Sequence, residues 1–60
     1  KKDFYAKLTI SYKEARETKY WLRLLTDTNY LDKDKSRALI NDCDILLRII
    51  GSIQKTIRNS

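Results

Sequence analysis

Glu14 and Glu17 stand one helical turn apart and share a flank with Ile10, Trp21 and Leu24, which makes them the side chains whose spacing comes nearest to a chemical site. Paired carboxylates at this spacing hold metal ions in helical bundles when histidines on facing helices complete the set. This chain contains no histidine and one cysteine, and one helix lacks the remaining ligands and a pocket, so neither a metal nor an acid–base site is expected. The absence of a nucleophile constellation and of a phosphate loop argues in the same direction, so no catalytic residue, cofactor or small-molecule substrate is expected. The better use of Glu14 and Glu17 is charge-assisted pairing with arginines across a helix or subunit contact, and the same holds for Asp42. An apolar strip that carries such charges and a tryptophan has the composition of an interface. Ile10, Glu14, Glu17, Trp21 and Leu24 are therefore the expected oligomer or bundle contact. Cys43 is read as a small apolar packing residue rather than a redox group.

A second group of residues has the chemistry of a phosphate-binding surface. Lys2, Tyr5, Thr9, Lys13, Arg16, Tyr20 and Arg23 fall on one helical side without a carboxylate, in a chain of net charge +5 and pI near 9.6. Cations neutralise phosphates, and tyrosines offer flat faces to unpaired bases. Lys13, Arg16, Tyr20 and Arg23 are the candidate RNA or DNA contacts. The plainer reading, a solvated helix face, takes precedence from sequence alone. In the second half, Lys33, Lys35, Arg37, Arg48, Lys55 and Arg58 alternate with Asp34 and Asp44, so no comparable stripe is expected there. Lys13 with Glu17 and Arg23 with Asp27 are at the spacing of surface ion pairs.

The elements that must carry these residues are two helices. Phe4, Leu8, Ser11, Ala15, Thr18, Leu22 and Leu25 recur in alternating steps of four and three, as do Leu39, Cys43, Leu46, Ile50, Ile53 and Ile57. With Ile10, Trp21 and Leu24 on the first, and Ala38, Ile40, Ile45, Leu47 and Ile49 on the second, the apolar sectors widen to about 200° and 220°. One neighbour covers only a narrow seam, so each helix is expected to touch two or three others. The small residues Ser11, Ala15 and Thr18 permit close approach of another backbone. Gly51, the only glycine in a chain without proline, fits either such an approach or a slight bend.

The polar cluster Thr26-Asp27-Thr28-Asn29 marks the turn. Asn29 tolerates the left-handed conformation that ends a helix, letting Tyr30 fold back toward Leu25. Asp32 has the side chain to cap the next helix, helped by Asp34. Helix A is expected over about residues 3–27 and helix B over about 33–58, antiparallel across a turn at 28–32. Sixty residues are near the lower limit for independent folding, and with disulfides and metals excluded, association is the remaining support.

Lys2-Asp3-Phe4, Glu14-Ala15-Arg16-Glu17-Thr18, Tyr20-Trp21-Leu22-Arg23-Leu24-Leu25 and Tyr30-Leu31, in this order, resemble the small bacterial four-helix bundle proteins also called 23S rRNA intervening-sequence proteins. Their third helix, third loop and fourth helix correspond to the whole of this chain. Asn29 stands where the family typically has glycine, an exchange the cap geometry tolerates. The family's first two helices, with a segment like SIPxNIAEG between them, have no counterpart, and the chain opens on Lys1-Lys2-Asp3, so a piece of a longer reading frame is expected. The resemblance implies an up-and-down four-helix bundle that forms ring-like homo-oligomers, encoded in insertions within rRNA genes and of poorly defined role. It also implies kinship with retroelement accessory proteins that work with a reverse transcriptase and RNA through a basic surface.

The expectation is thus an all-α, antiparallel hairpin over residues 1–60, half of a four-helix bundle completed by oligomerisation or by preceding helices. Its function is a non-enzymatic homo-oligomeric scaffold, with an RNA- or DNA-binding accessory role as the alternative. Ile45-Leu46-Leu47 and Ile49-Ile50, split by Arg48, are too short to cross a bilayer, and no secretory signal is visible, so no membrane partner and a cytoplasmic location are expected.

Overall fold

A computed structural model describes residues 2–59. Among them are two α-helices, α1 (Lys2–Asp27) and α2 (Lys33–Arg58), packed antiparallel as an all-helical hairpin. Each has 26 residues, about 39 Å at about 1.5 Å per residue, and the rod measures 44 × 15 × 10 Å. Proline is absent, and the threonines do not compete with the helices they occupy. The hydroxyls of Thr9, Thr18 and Thr26 donate to the carbonyls of Tyr5, Glu14 and Leu22, four residues back, at 3.2, 3.0 and 2.6 Å.

Backbone chemistry places the turn where the polar cluster lies. Asn29 has φ 66°, a left-handed conformation that asparagine accepts more readily than other non-glycine residues. That reversal lets the amides of Tyr30 and Leu31 donate to the Leu25 carbonyl at 2.8 and 3.2 Å, while the Thr28 amide reaches Leu24 at 3.0 Å. With the Asn29 amide on the Thr26 carbonyl at 3.0 Å, the carbonyls of Leu24, Leu25 and Thr26 are satisfied. The Tyr30 ring takes no part, since it is 83% exposed. Asp32 is extended (φ −62°, ψ 136°) and caps α2, its carboxylate accepting from the Lys35 amide at 3.2 Å.

The line along which the helices meet differs from the one their apolar spacing predicts. On α1 the buried and half-buried positions are Tyr5, Leu8, Tyr12, Ala15, Lys19, Leu22 and Thr26; on α2 they include Ser36, Ile40, Cys43, Leu47, Ile50, Gln54 and Ile57. Leu8, Ala15, Leu22, Cys43, Ile50 and Ile57 belong to both the expected and the observed lines. Phe4, Ser11, Thr18 and Leu25, and Leu39, Leu46 and Ile53, do not: they are exposed, each one place before a residue that packs. At about 100° per residue, both helices are turned by about 50° from the line of their four-and-three apolar spacing.

The physical reason is visible in the seam itself. Polar side chains meet in register along its length. Gln54 Nε2 donates to Thr9 Oγ1 at 2.8 Å, Lys19 Nζ pairs with Asp44 Oδ1 at 2.5 Å, and the hydroxyls of Thr26 and Ser36 bond to one another. Ser36, 1% exposed, is the most buried residue of the hairpin, and its hydroxyl is satisfied. An apolar line facing an apolar line would have turned these groups to water instead of to one another.

Gly51 is not demanded by a close approach within the hairpin. A Cβ there would meet Tyr12 Cε2 at 4.0 Å, ordinary contact. Gly51→Ala is expected to stabilise the helix by up to about 1 kcal/mol. Asn29→Ala is expected to cost about 1 kcal/mol and Asn29→Gly to cost nothing, because only the left-handed backbone distinguishes them. Urea unfolding followed by circular dichroism measures all three.

Candidate helix-docking face and basic groove

The rotation of the seam sorts the remaining side chains onto two sides. In an antiparallel pair of right-handed helices, the same step in sequence turns toward the same side on both. Residues one place before the packed positions therefore share one side of the rod, and residues one place after share the other. The first side carries Phe4, Ser11, Thr18 and Leu25 with Leu39, Leu46 and Ile53. Outside them lie Ile10, Trp21 and Leu24 on α1 and Ile45 and Ile49 on α2. These large apolar residues are between 37% and 57% exposed, with Ile10 at 57% and Trp21 at 56%. Monomeric proteins seldom leave an apolar surface this continuous uncovered.

Glu14 and Glu17 sit in this flank and are exposed, as is Asp42 in the corresponding flank of α2. Within the hairpin they form no ion pair among the described residues, and neither Lys13–Glu17 nor Arg23–Asp27 forms. Lys7 and Lys35 are on the same side as the three carboxylates, so charge of both signs borders the apolar strip. Among the described residues no group of histidine, cysteine, aspartate or glutamate is arranged to hold a metal. Cys43 is half-buried in the seam as a free thiol.

The opposite side gathers cations from both helices. Lys13, Arg16, Tyr20 and Arg23 follow packed positions of α1, and Arg37, Arg48, Lys55 and Arg58 follow packed positions of α2. Sequence spacing alone offered no stripe on the second helix; the fold brings these cations to one side, where Asp44 is engaged by Lys19 and Asp34 shares the helical line of Arg48 and Lys55. Three shallow depressions lie on this side, two at the seam and one on α1 alone. Tyr12, Arg16, Lys19, Tyr20, Arg23 and Leu47 line one of about 480 Å³. Thr9, Lys13 and Glu17 extend it outward along α1. Toward the turn, Arg23 borders a third together with Thr26, Lys33, Ser36 and Arg37. Tyr20, 62% exposed, meets Trp21 edge to face with centroids 5.5 Å apart. That contact ties the two flanks of α1 together at one point.

All four candidate nucleic-acid residues thus fall on one side, and all five candidate interface residues on the other flank of the same helix. Sequence reasoning missed Tyr12, Lys33 and Arg37, which matter only once α2 is folded against α1. For Arg37 the signal was present as a cation one place after a seam position, but it becomes readable only when the seam is known.

This geometry defines a class: a two-faced helical hairpin of the kind from which helical bundles are built. Compared with known families, residues 1–52 match the 23S rRNA-intervening sequence protein family, which covers most of the chain. The chain belongs to that family. No curated protein and no solved structure matches it.

The one ion pair among the described residues has side chains 25% and 41% exposed, so it is screened by solvent. A double-mutant cycle on Lys19 and Asp44 is expected to return a coupling of about 0.5–1 kcal/mol that shrinks with added salt.

Proposed function

We propose that this protein is a non-enzymatic helical scaffold whose apolar face is covered by a second copy of the chain, two hairpins making one four-helix bundle. The observation that carries this is the rotation of the seam. In a square array of four helices each apolar sector points at the common centre, and each neighbour lies about 45° to one side of that direction. The hairpin approaches this relation already, with its own partner about 50° from each helix's four-and-three apolar line and both lines turned toward the same side.

Area supports the same occupant. The chain exposes 5099 Å², whereas a compact 7.2 kDa protein exposes about 4,100 Å². The excess of roughly 1,000 Å² is what one partner contributes to a stable interface. Charges of both signs around the strip, Glu14, Glu17 and Asp42 with Lys7 and Lys35, suit two-fold pairing, in which each copy presents the other with its own pattern. Glu14 and Glu17 then gain the cationic partners they lack in one hairpin. Ile10, Trp21 and Leu24 are the outer edge of the contact, and Leu39, Leu46 and Ile53 its centre. Among the described residues no helix is long and apolar enough to cross a membrane. With its cysteine free, we place the protein in the cytoplasm.

A second reading is favoured by a separate observation, the cation-rich side. We infer that Lys13, Arg16, Tyr20 and Arg23 contact nucleic acid there, on the surface that assembly leaves free.

Sedimentation equilibrium at micromolar concentration tests the first reading. A dimer or a multiple of it is expected, with Leu46→Glu shifting it toward monomer and Trp21 emission moving to the red as it dissociates. A fully helical monomer whose Trp21 emission is independent of concentration overturns it.

A further inference from the structure

We propose that the basic side binds single-stranded nucleic acid in a groove that both helices build, with Lys33 and Arg37 of α2 as phosphate contacts equal in weight to Arg16 and Arg23 of α1. The inference rests on the nucleic-acid reading above and names the part of that site which α1 alone does not contain.

The groove runs along the seam rather than along one helix. Arg23 is the hinge of the argument, because it lines both the depression holding Tyr12, Arg16 and Tyr20 and the one holding Lys33 and Arg37. A strand following Arg16 and Arg23 toward the turn must therefore pass onto α2. At that end its phosphates meet three cations within one depression, beside the hydroxyl pair of Thr26 and Ser36. Asp27 and Asp34 stand on this side toward the turn, and neither lines the three depressions. Asp44 is held by Lys19, and Glu17 borders only the outer depression.

Aromatic chemistry selects the single strand. Tyr20 stands exposed between Arg16 and Arg23, braced edge to face by Trp21, and Tyr12 forms the floor beside it. A planar ring flanked by guanidinium groups accepts an unstacked base, and a duplex offers it none. The trough is open and shallow, so it suits stacking without reading sequence. Preference between bases is therefore expected to be slight.

The test is fluorescence anisotropy of the full chain with labelled oligouridylate, oligothymidylate and a DNA duplex of matched length, about 12 nucleotides, across a salt series. Both single strands are expected to bind, more tightly than the duplex, with a slope of log K against log salt of roughly −3, as four phosphate contacts give. Arg37→Glu and Lys33→Glu should each weaken binding about tenfold, as Arg16→Glu does. Lys35→Glu, the same charge change on the apolar side, should have little effect. Tyr20→Ala should weaken both single strands and Tyr20→Phe should not. Arg37→Gln, with helicity checked by circular dichroism, separates loss of contact from loss of fold.

The failures are distinguishable. No binding of any oligonucleotide at low salt defeats the nucleic-acid reading itself. Binding that falls with Arg16→Glu but is indifferent to Arg37→Glu and Lys33→Glu leaves that reading standing and overturns the two-helix groove. An equal loss with Lys35→Glu, or equal affinity for the duplex, overturns it as well. If only one of the two single strands binds, the sugar is read in addition, and the groove stands.

Discussion

The structure depends on a rotation. Each helix has an apolar sector far wider than one neighbour can cover, and the hairpin seam runs to one side, about 50° from the four-and-three apolar line of each helix. Were the hydrophobic effect acting on two helices alone, the greasiest strips would meet and the polar flanks would face water. Instead Leu39, Leu46 and Ile53 remain exposed beside Phe4 and Leu25, while Tyr12, Lys19, Thr26, Ser36 and Gln54 lie in the seam. An arrangement of this kind is favourable when the apolar face has somewhere else to go.

The polar seam has its own consequence. Hydrogen bonds are directional where apolar contact is not, so Gln54 with Thr9, Lys19 with Asp44 and Thr26 with Ser36 fix how far α2 has slid along α1. Apolar side chains alone tolerate a slip of one turn, because the strip repeats itself along the helix. Three polar contacts spaced down the rod do not. The turn contributes at one end, where the left-handed Asn29 and the Asp32 cap set the point from which this register is counted. The register of the hairpin is thus set on one side of each helix, and most of the large exposed apolar side chains lie on another.

Much of this was legible in the chain. The absence of proline, the polar cluster at 26–29, Asn29 and the Asp32 cap locate both helices and the turn, because capping and turn chemistry are local and depend on few neighbours. The seam was not legible, since periodicity finds the four-and-three apolar line, and the contact with the chain's own partner lies to one side of it. Lys19 and Gln54 read as surface residues until a partner stands opposite them. The same shift hid the α2 half of the basic side. Lys33 and Arg37 look diluted by Asp34 in sequence, and only the antiparallel pairing brings them next to Arg23. Membership of the 23S rRNA-intervening sequence protein family agrees with the fold class and leaves the biochemical task to be argued from these surfaces.

The central claim is that one side of the rod is a docking face for further helices and the other is open to solvent. Residue-resolved NMR relaxation by a soluble paramagnetic agent, recorded on the protein at its working concentration, measures that division directly. The account predicts that the side chains of Leu39, Leu46 and Ile53 are shielded while Arg16, Arg37 and Arg48 are strongly relaxed. Equal relaxation of both sides in a fully helical protein would contradict it.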